Sequence, residues 1–153
     1  QRVEAPALAV LESEPTDLTL AAAKGELDPW ADVQFVARGI SDMDDLFIVP
    51  PLHNDFYHYS LRAVLGDWAE GSTLIFLDNR FTEEWFERMN DLGWTKFYNA
   101  EEGFNNLSTK DITRVALKYN AQFVVTEKPK RFELPIVYEN SRFILYRTPC
   151  GDQ

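Results

Sequence analysis

The chain is poor in the residues from which small proteins build cross-links and metal centres. Of its 153 residues one is cysteine, Cys150, and two are histidine, His53 and His58. A single cysteine makes no internal disulfide and excludes sites built on several thiolates. Long apolar runs are missing too, since no stretch reaches the roughly 18 apolar residues of a membrane span. Positive charge is scarce: 15 Lys and Arg stand against 25 Asp and Glu, for a net charge of -10. Such a surface repels phosphate backbones, so no nucleic-acid partner is expected. The one basic run, Lys128-Pro129-Lys130-Arg131, reads as a solvated turn. Standard signatures are absent: no glycine-rich dinucleotide or phosphate loop, no nucleophile elbow, no metalloprotease helix. No cofactor is expected.

What is present belongs to a folded domain. Hydrophobic residues make up 45% and aromatics 14%, and a chain of this length buries roughly 70% of its unfolded surface without staples. It begins at Gln1 without a methionine or a signal peptide, and both ends read as boundaries of a longer protein.

Residues 1–27 mix small apolar and acidic residues with Pro6 and Pro15. They read as a lead-in segment, with a short helix over Leu18–Lys24 stopped by Gly25. Residues 28–149 read as one α/β domain. Asp28-Pro29 pairs a capping carboxylate with proline at the first helical position, and Trp30, Val33, Val36, Ala37 and Ile40 follow at helical spacing. Leu46–Val49 is a buried strand closed by Pro50-Pro51. Residues 52–60 read as a polar and aromatic loop. Leu61–Leu65 and Thr73–Leu77 read as strands. Thr82 is the expected cap of the next helix, with Phe81 and Phe86 as a hydrophobic staple and Trp85, Phe86, Met89 and Leu92 as its stripe; Gly93 stops it. Residues 94–107 read as a loop with one strand at Thr95–Tyr98. Ser108 caps a helix over 109–119 that ends at Asn120. Phe123–Val125 is a buried strand, and Pro135–Tyr138 with Arg142–Tyr146 form a hairpin. The pattern predicts a three-layer α/β sandwich, its mixed sheet edged by a C-terminal antiparallel hairpin. Phe47, Val49, Ile75, Leu77, Val124 and Val125 are its expected core.

Three clusters carry possible chemistry. The loop after the first strand holds His53, Asp55 and His58, and lies where ligands collect in open α/β sheets, outside the carboxyl ends of strands. Imidazole and carboxylate suit acid–base work or zinc, but their spacing matches no metal motif, and an aromatic loop packed on the sheet, with hydrogen-bonded histidines, is the simpler account. Arg62, Asp67 and Trp68 form the second cluster. Arg62 grips anions or hydroxyls through a fork of donors, and Trp68 offers a flat apolar face to a sugar; the alternative is an Arg62–Asp67 pair with Trp68 in the core. Glu83, Glu84 and Glu87 suggest a glycosidase carboxylate pair, yet acidic residues in a first helical turn already answer the helix dipole. No catalytic or metal-binding residue is assigned.

Longer-range pattern adds a resemblance. Trp30 with Phe35-Val36-Ala37-Arg38, Asp45-Leu46-Phe47-Ile48-Val49-Pro50-Pro51, Ser60-Leu61-Arg62 and Gly66-Asp67-Trp68 resemble the C-terminal soluble part of large bacterial membrane proteins of the DUF6798-like and C-type glycosyltransferase-like kind. Tyr119-Asn120-Ala121-Gln122-Phe123-Val124-Val125, Leu134-Pro135-Ile136-Val137-Tyr138-Glu139-Asn140 and Phe143-Ile144-Leu145-Tyr146-Arg147 resemble its later segments. The likeness spans about residues 30–147, carries no catalytic signature and does not cover His53–His58. In those relatives the catalytic carboxylates lie in loops of the membrane part. The resemblance therefore implies a non-catalytic accessory domain on the extracytoplasmic (periplasmic) side of a membrane. Its implied partners are the transmembrane portion of the same polypeptide and a glycan or lipid-linked sugar. The alternatives are a small-molecule-binding module and a small hydrolase using the 53–58 loop.

Overall fold

The structure, a computed structural model, describes residues 27–74, 79–95 and 99–152. Among them is a five-stranded mixed sheet in the order β2-β1-β3-β5-β4, with β1 Leu46–Ile48, β2 Ala63–Val64, β3 Phe123–Glu127, β4 Ile136–Glu139 and β5 Phe143–Arg147. β1 is parallel to both β2 and β3, whereas β5 is antiparallel to β3 and to β4. The helices are α1 Pro29–Ile40, α2 Phe56–Ser60, α3 Trp68–Leu74, α4 Asn79–Asp91, α5 Ala100–Asn105 and α6 Thr109–Tyr119, with a 3-10 turn at Pro149–Asp152.

Alternation along the strands sorts the core into two faces. Phe47, Phe123, Val125, Phe143 and Leu145 point to α1 and α2 and pack with Val33, Ala37 and Phe56. Ile48, Val124, Ile144 and Tyr146 point the other way, to Leu92, Phe104, Ile112 and Val115 of the α4–α6 side. The molecule is thus an α/β domain with helices on both faces of a mixed sheet, and its C-terminal edge is the expected antiparallel hairpin. Phe47, Val49, Val124 and Val125 are at most 1% exposed, as a buried strand core requires. Ile75 and Leu77 lie outside the described residues, as do the helix expected at Leu18–Lys24 and most of the strand expected at Thr95–Tyr98.

Local signals set the long helices. Asp28 accepts from the backbone N–H groups of Trp30 and Ala31 at the start of α1, with Pro29 at the first position. Ser108 and Asp111 form a reciprocal capping box on α6, which ends in left-handed Asn120. Gly93, at φ +96, closes α4; a Cβ there would lie 2.3 Å from the backbone of Gly103.

Several expectations are overturned. Within the predicted 52–60 loop, residues 56–60 form α2, bracketed by left-handed Asp55 and Leu61. Buried Phe56 holds this single turn, which is too short to show helical periodicity. β2 shrinks to Ala63–Val64 because Leu61 turns the chain. Thr73 belongs to α3 and not to a strand: the β-branched run misleads, while Asp67 Oδ1 caps the backbone N–H of Glu70 at 2.7 Å. α4 begins at Asn79, so Thr82 is inside the helix, and Phe81 and Phe86, 50% and 42% exposed, form no staple. Glu83 and Glu84 consequently lie beyond the first turn, exposed to solvent, and Glu87 pairs with Lys118 at 2.9 Å. Residues 100–105 form α5 in place of a loop.

Candidate functional site

β1 and β3 are parallel neighbours, so their carboxyl ends open at the same edge. From β1 the chain goes to β2 on one side and returns as β3 on the other, a reversal that leaves a crevice between the two strand ends. That crevice has a volume of about 370 Å³, at the small end of ligand pockets. It is lined by the loop after β1, by α5, and by the residues around the end of β3 and the start of β5.

Each wall is fixed by its own local bonds. Beyond β1 the chain turns at once, His53 N–H donating to Pro50 O at 2.9 Å, while Trp68 N–H donates to Pro51 O. Trp30 Nε1–H holds the loop further along, at Asn54 O. The His53 ring lies 4.9 Å from that of Trp30 and edge-on to Phe143 at 5.2 Å. Glu127 is the last residue of β3. Its Oε2 is 2.5 Å from His53 Nε2 and its Oε1 accepts from Arg142 Nε at 2.6 Å. Burial pushes the Glu127 carboxyl up, but the hydrogen bonds from His53 and Arg142 outweigh it and hold the group below its ordinary range. Glu127 is therefore a carboxylate at neutral pH. Arg142 also lies over the Phe143 ring at 5.2 Å.

The hairpin that presents Arg142 is tied to α1. Asn140 Oδ1 accepts from the backbone of Arg142 and Phe143, and its amide donates to Pro29 O and Asp32. Tyr138 donates to Asp32 Oδ2 at 2.6 Å, a bond that, with burial, pushes the phenol up to about 12. The basic run is a turn with Pro129 and Arg131 exposed, and its cations have partners. Lys128, on the crevice wall, pairs with Glu139 at 2.6 Å; Arg131 pairs with the same carboxylate; Lys130 donates to Leu107 O.

The sequence candidates part company. His53 lies in the crevice. Asp55 lines a separate shallow depression with Arg62 and Asp67, and His58 is exposed on α2 against Tyr59. Among the described residues no three His, Cys, Asp or Glu side chains converge as a metal site. The Arg62–Asp67 pair weighed from the sequence is not formed. Arg62 is 7% exposed and gives all five N–H groups to neutral oxygens: Nε to Ser41 Oγ, Nη1 to Ser60 O and Leu61 O, Nη2 to Arg38 O and Ser41 O. It ties the end of α1 to the end of α2. Asp67 caps α3 and its carbonyl accepts from Trp85 Nε1. Trp68 packs edge-on against Trp94 at 5.3 Å and Trp85 at 6.1 Å.

Glu127 and Arg142 were not singled out in the sequence. The signal for Glu127 is the same rule that drew attention to His53, applied to the neighbouring strand: a polar residue where an apolar β3 run ends.

Comparison with known proteins finds no matching family model, no similar characterised protein and no similar solved structure.

Proposed function

We propose that this chain is a non-catalytic accessory domain of a multi-pass membrane protein of the C-type glycosyltransferase-like kind, placed on the extracytoplasmic side, and that it works by holding a ligand at the crevice between β1 and β3. The observation that carries the reading is Glu127, fixed by His53 on one oxygen and Arg142 on the other at the wall of that crevice. A carboxylate clamped on both sides is set for recognition, since it keeps its position and charge as a ligand arrives. The resemblance over residues 30–147 supplies the membrane context. The acidic surface, net -10, suits a face that meets neither nucleic acid nor anionic lipid headgroups.

The reading is tested in the full-length protein. Its frame must encode membrane spans joined to this domain. Removal of residues 28–149 is expected to leave an inserted membrane protein that has lost its affinity for the acceptor glycan. Unchanged glycan transfer, or a reading frame without membrane spans, refutes it.

A second reading, a small hydrolase, is favoured by the same His53–Glu127 pair, in which a carboxylate orients an imidazole. It predicts His53-dependent ester or glycoside hydrolysis by the isolated chain.

A further inference from the structure

The crevice lining selects a ligand by exclusion. Two carboxylates, Glu101 and Glu127, and two cations, Lys128 and Arg142, line it together. Lys128 and Arg142 are already paired, with Glu139 and Glu127, so an anion would have to break one of these pairs while meeting Glu101 and the field of a chain carrying -10; a cation would have to displace Arg142 or His53 from Glu127. A purely apolar ligand would desolvate these groups without returning their hydrogen bonds. What fits is a neutral molecule rich in hydroxyls. Glu127 already receives one donor on each oxygen and retains a further lone pair on each for a hydroxyl proton. Asn105, exposed on α5, is part of the wall, and exposed Pro129 and Leu52 offer apolar surface against which the C–H face of a sugar ring can lie.

We infer that the crevice binds one neutral pyranose ring, with Glu127 as its principal hydroxyl acceptor and Asn105 as a second polar contact. The inference rests on the accessory reading above and adds to it the ligand class and the residues that receive it.

The test is a titration of the ¹⁵N-labelled chain, followed by NMR, with glucose, galactose, mannose and N-acetylglucosamine in turn. Inorganic phosphate and N-acetylglycinamide are the comparison ligands. At least one sugar is expected to shift the Trp30 indole signal, whose ring lies 4.9 Å from His53, saturably and with a dissociation constant on the order of 1–10 mM. Asn105→Ala, at an exposed position, and Glu127→Gln are each expected to weaken binding about tenfold, which corresponds to one lost polar contact, while their spectra stay folded. The inference fails if none of the four sugars saturates, if phosphate or the amide binds more tightly than every sugar, or if both folded variants bind as the parent does. Such a failure, alongside loss of acceptor affinity when residues 28–149 are removed from the full-length protein, would leave the accessory role standing and reject only the ligand.

Discussion

The junction around Arg62 and the crevice around Glu127 use the same materials, a guanidinium among short loops and oxygen acceptors, and differ in what accepts. At the junction the acceptors are backbone carbonyls and one serine hydroxyl, and the guanidinium is buried with every donor spent. In the crevice the acceptor is a carboxylate, half of the Arg142 side chain is exposed, and the group sits on an open wall. The first arrangement fixes helix ends whose carbonyls have no partner within their own helices. The second holds charge where a ligand can meet it. An arginine therefore reveals its role through its acceptors more than through its place in a sequence motif.

The largest effect that would test this contrast is the loss of Arg62. Arg62→Ala removes a buried side chain, leaves a cavity and strands the buried Ser60 carbonyl together with the partly buried acceptors of Arg38, Ser41 and Leu61, and is expected to destabilise the domain by about 3 kcal/mol. Arg62→Lys should recover little of it, because an ammonium has three donors and cannot span the same fork. Arg142→Ala, by contrast, should cost less than about 1 kcal/mol, as exposed pairs do. Chemical denaturation of the three variants measures all of this. Equal losses for the two alanine variants would erase the distinction.

A smaller effect is expected in acid. The folded-state pKa of Glu127 is depressed below its ordinary 4.5. Its contribution to stability is thus complete above pH 4.5 and is lost as the pH falls through the lower folded value. With the side chain 28% exposed, the contribution is at most about 1 kcal/mol. Glu127→Gln should accordingly show a shallower fall in stability between neutral pH and pH 3 than the parent chain. Parallel pH profiles would mean that the His53 and Arg142 contacts confer no stability.

Much of the fold is legible in the sequence where a signal is local. Asp28-Pro29 announces α1, Ser108 announces α6, and the apolar runs at Leu46, Phe123 and Phe143 announce the central strands. The failures lie where the deciding contact is remote. α2 and α5, of 5 and 6 residues, are too short for a periodic stripe and exist because Phe56 and Phe104 are buried. α3 contains Gly71, which a sequence scores against a helix. Its reason is tertiary: a Cβ there would lie 2.1 Å from the Trp85 ring. The candidate site divides the same way. His53 is visible because it follows a strand. Its partner Glu127 is 74 positions away, and only the parallel pairing of β1 with β3 brings the two together. Arg62 and Trp68, six positions apart and weighed as a sugar-binding pair, go to different places: Arg62 to the junction of α1 and α2, and half-buried Trp68 to a ring cluster with Trp85 and Trp94.

The two histidines extend the comparison to its smallest expected effect. His53 is committed to Glu127 and packed by Trp30 and Phe143, whereas His58 lies exposed on α2 and Asp55 faces another depression. Zinc at His53 would have Glu127 as its nearest carboxylate, and would have to compete there with Arg142. Among the described residues no third His, Cys, Asp or Glu completes a site, and two ligands without a third rarely hold the ion against water. A ligand that binds the native state must raise its melting temperature. Excess zinc, or a chelator, is therefore expected to move the melting temperature by less than about 2 °C. Repeating the melt with His53→Ala and His58→Ala sharpens the result. A larger rise that disappears in the first variant and persists in the second would make the His53–Glu127 pair a metal site, and the crevice would then be read as a hydrolytic centre.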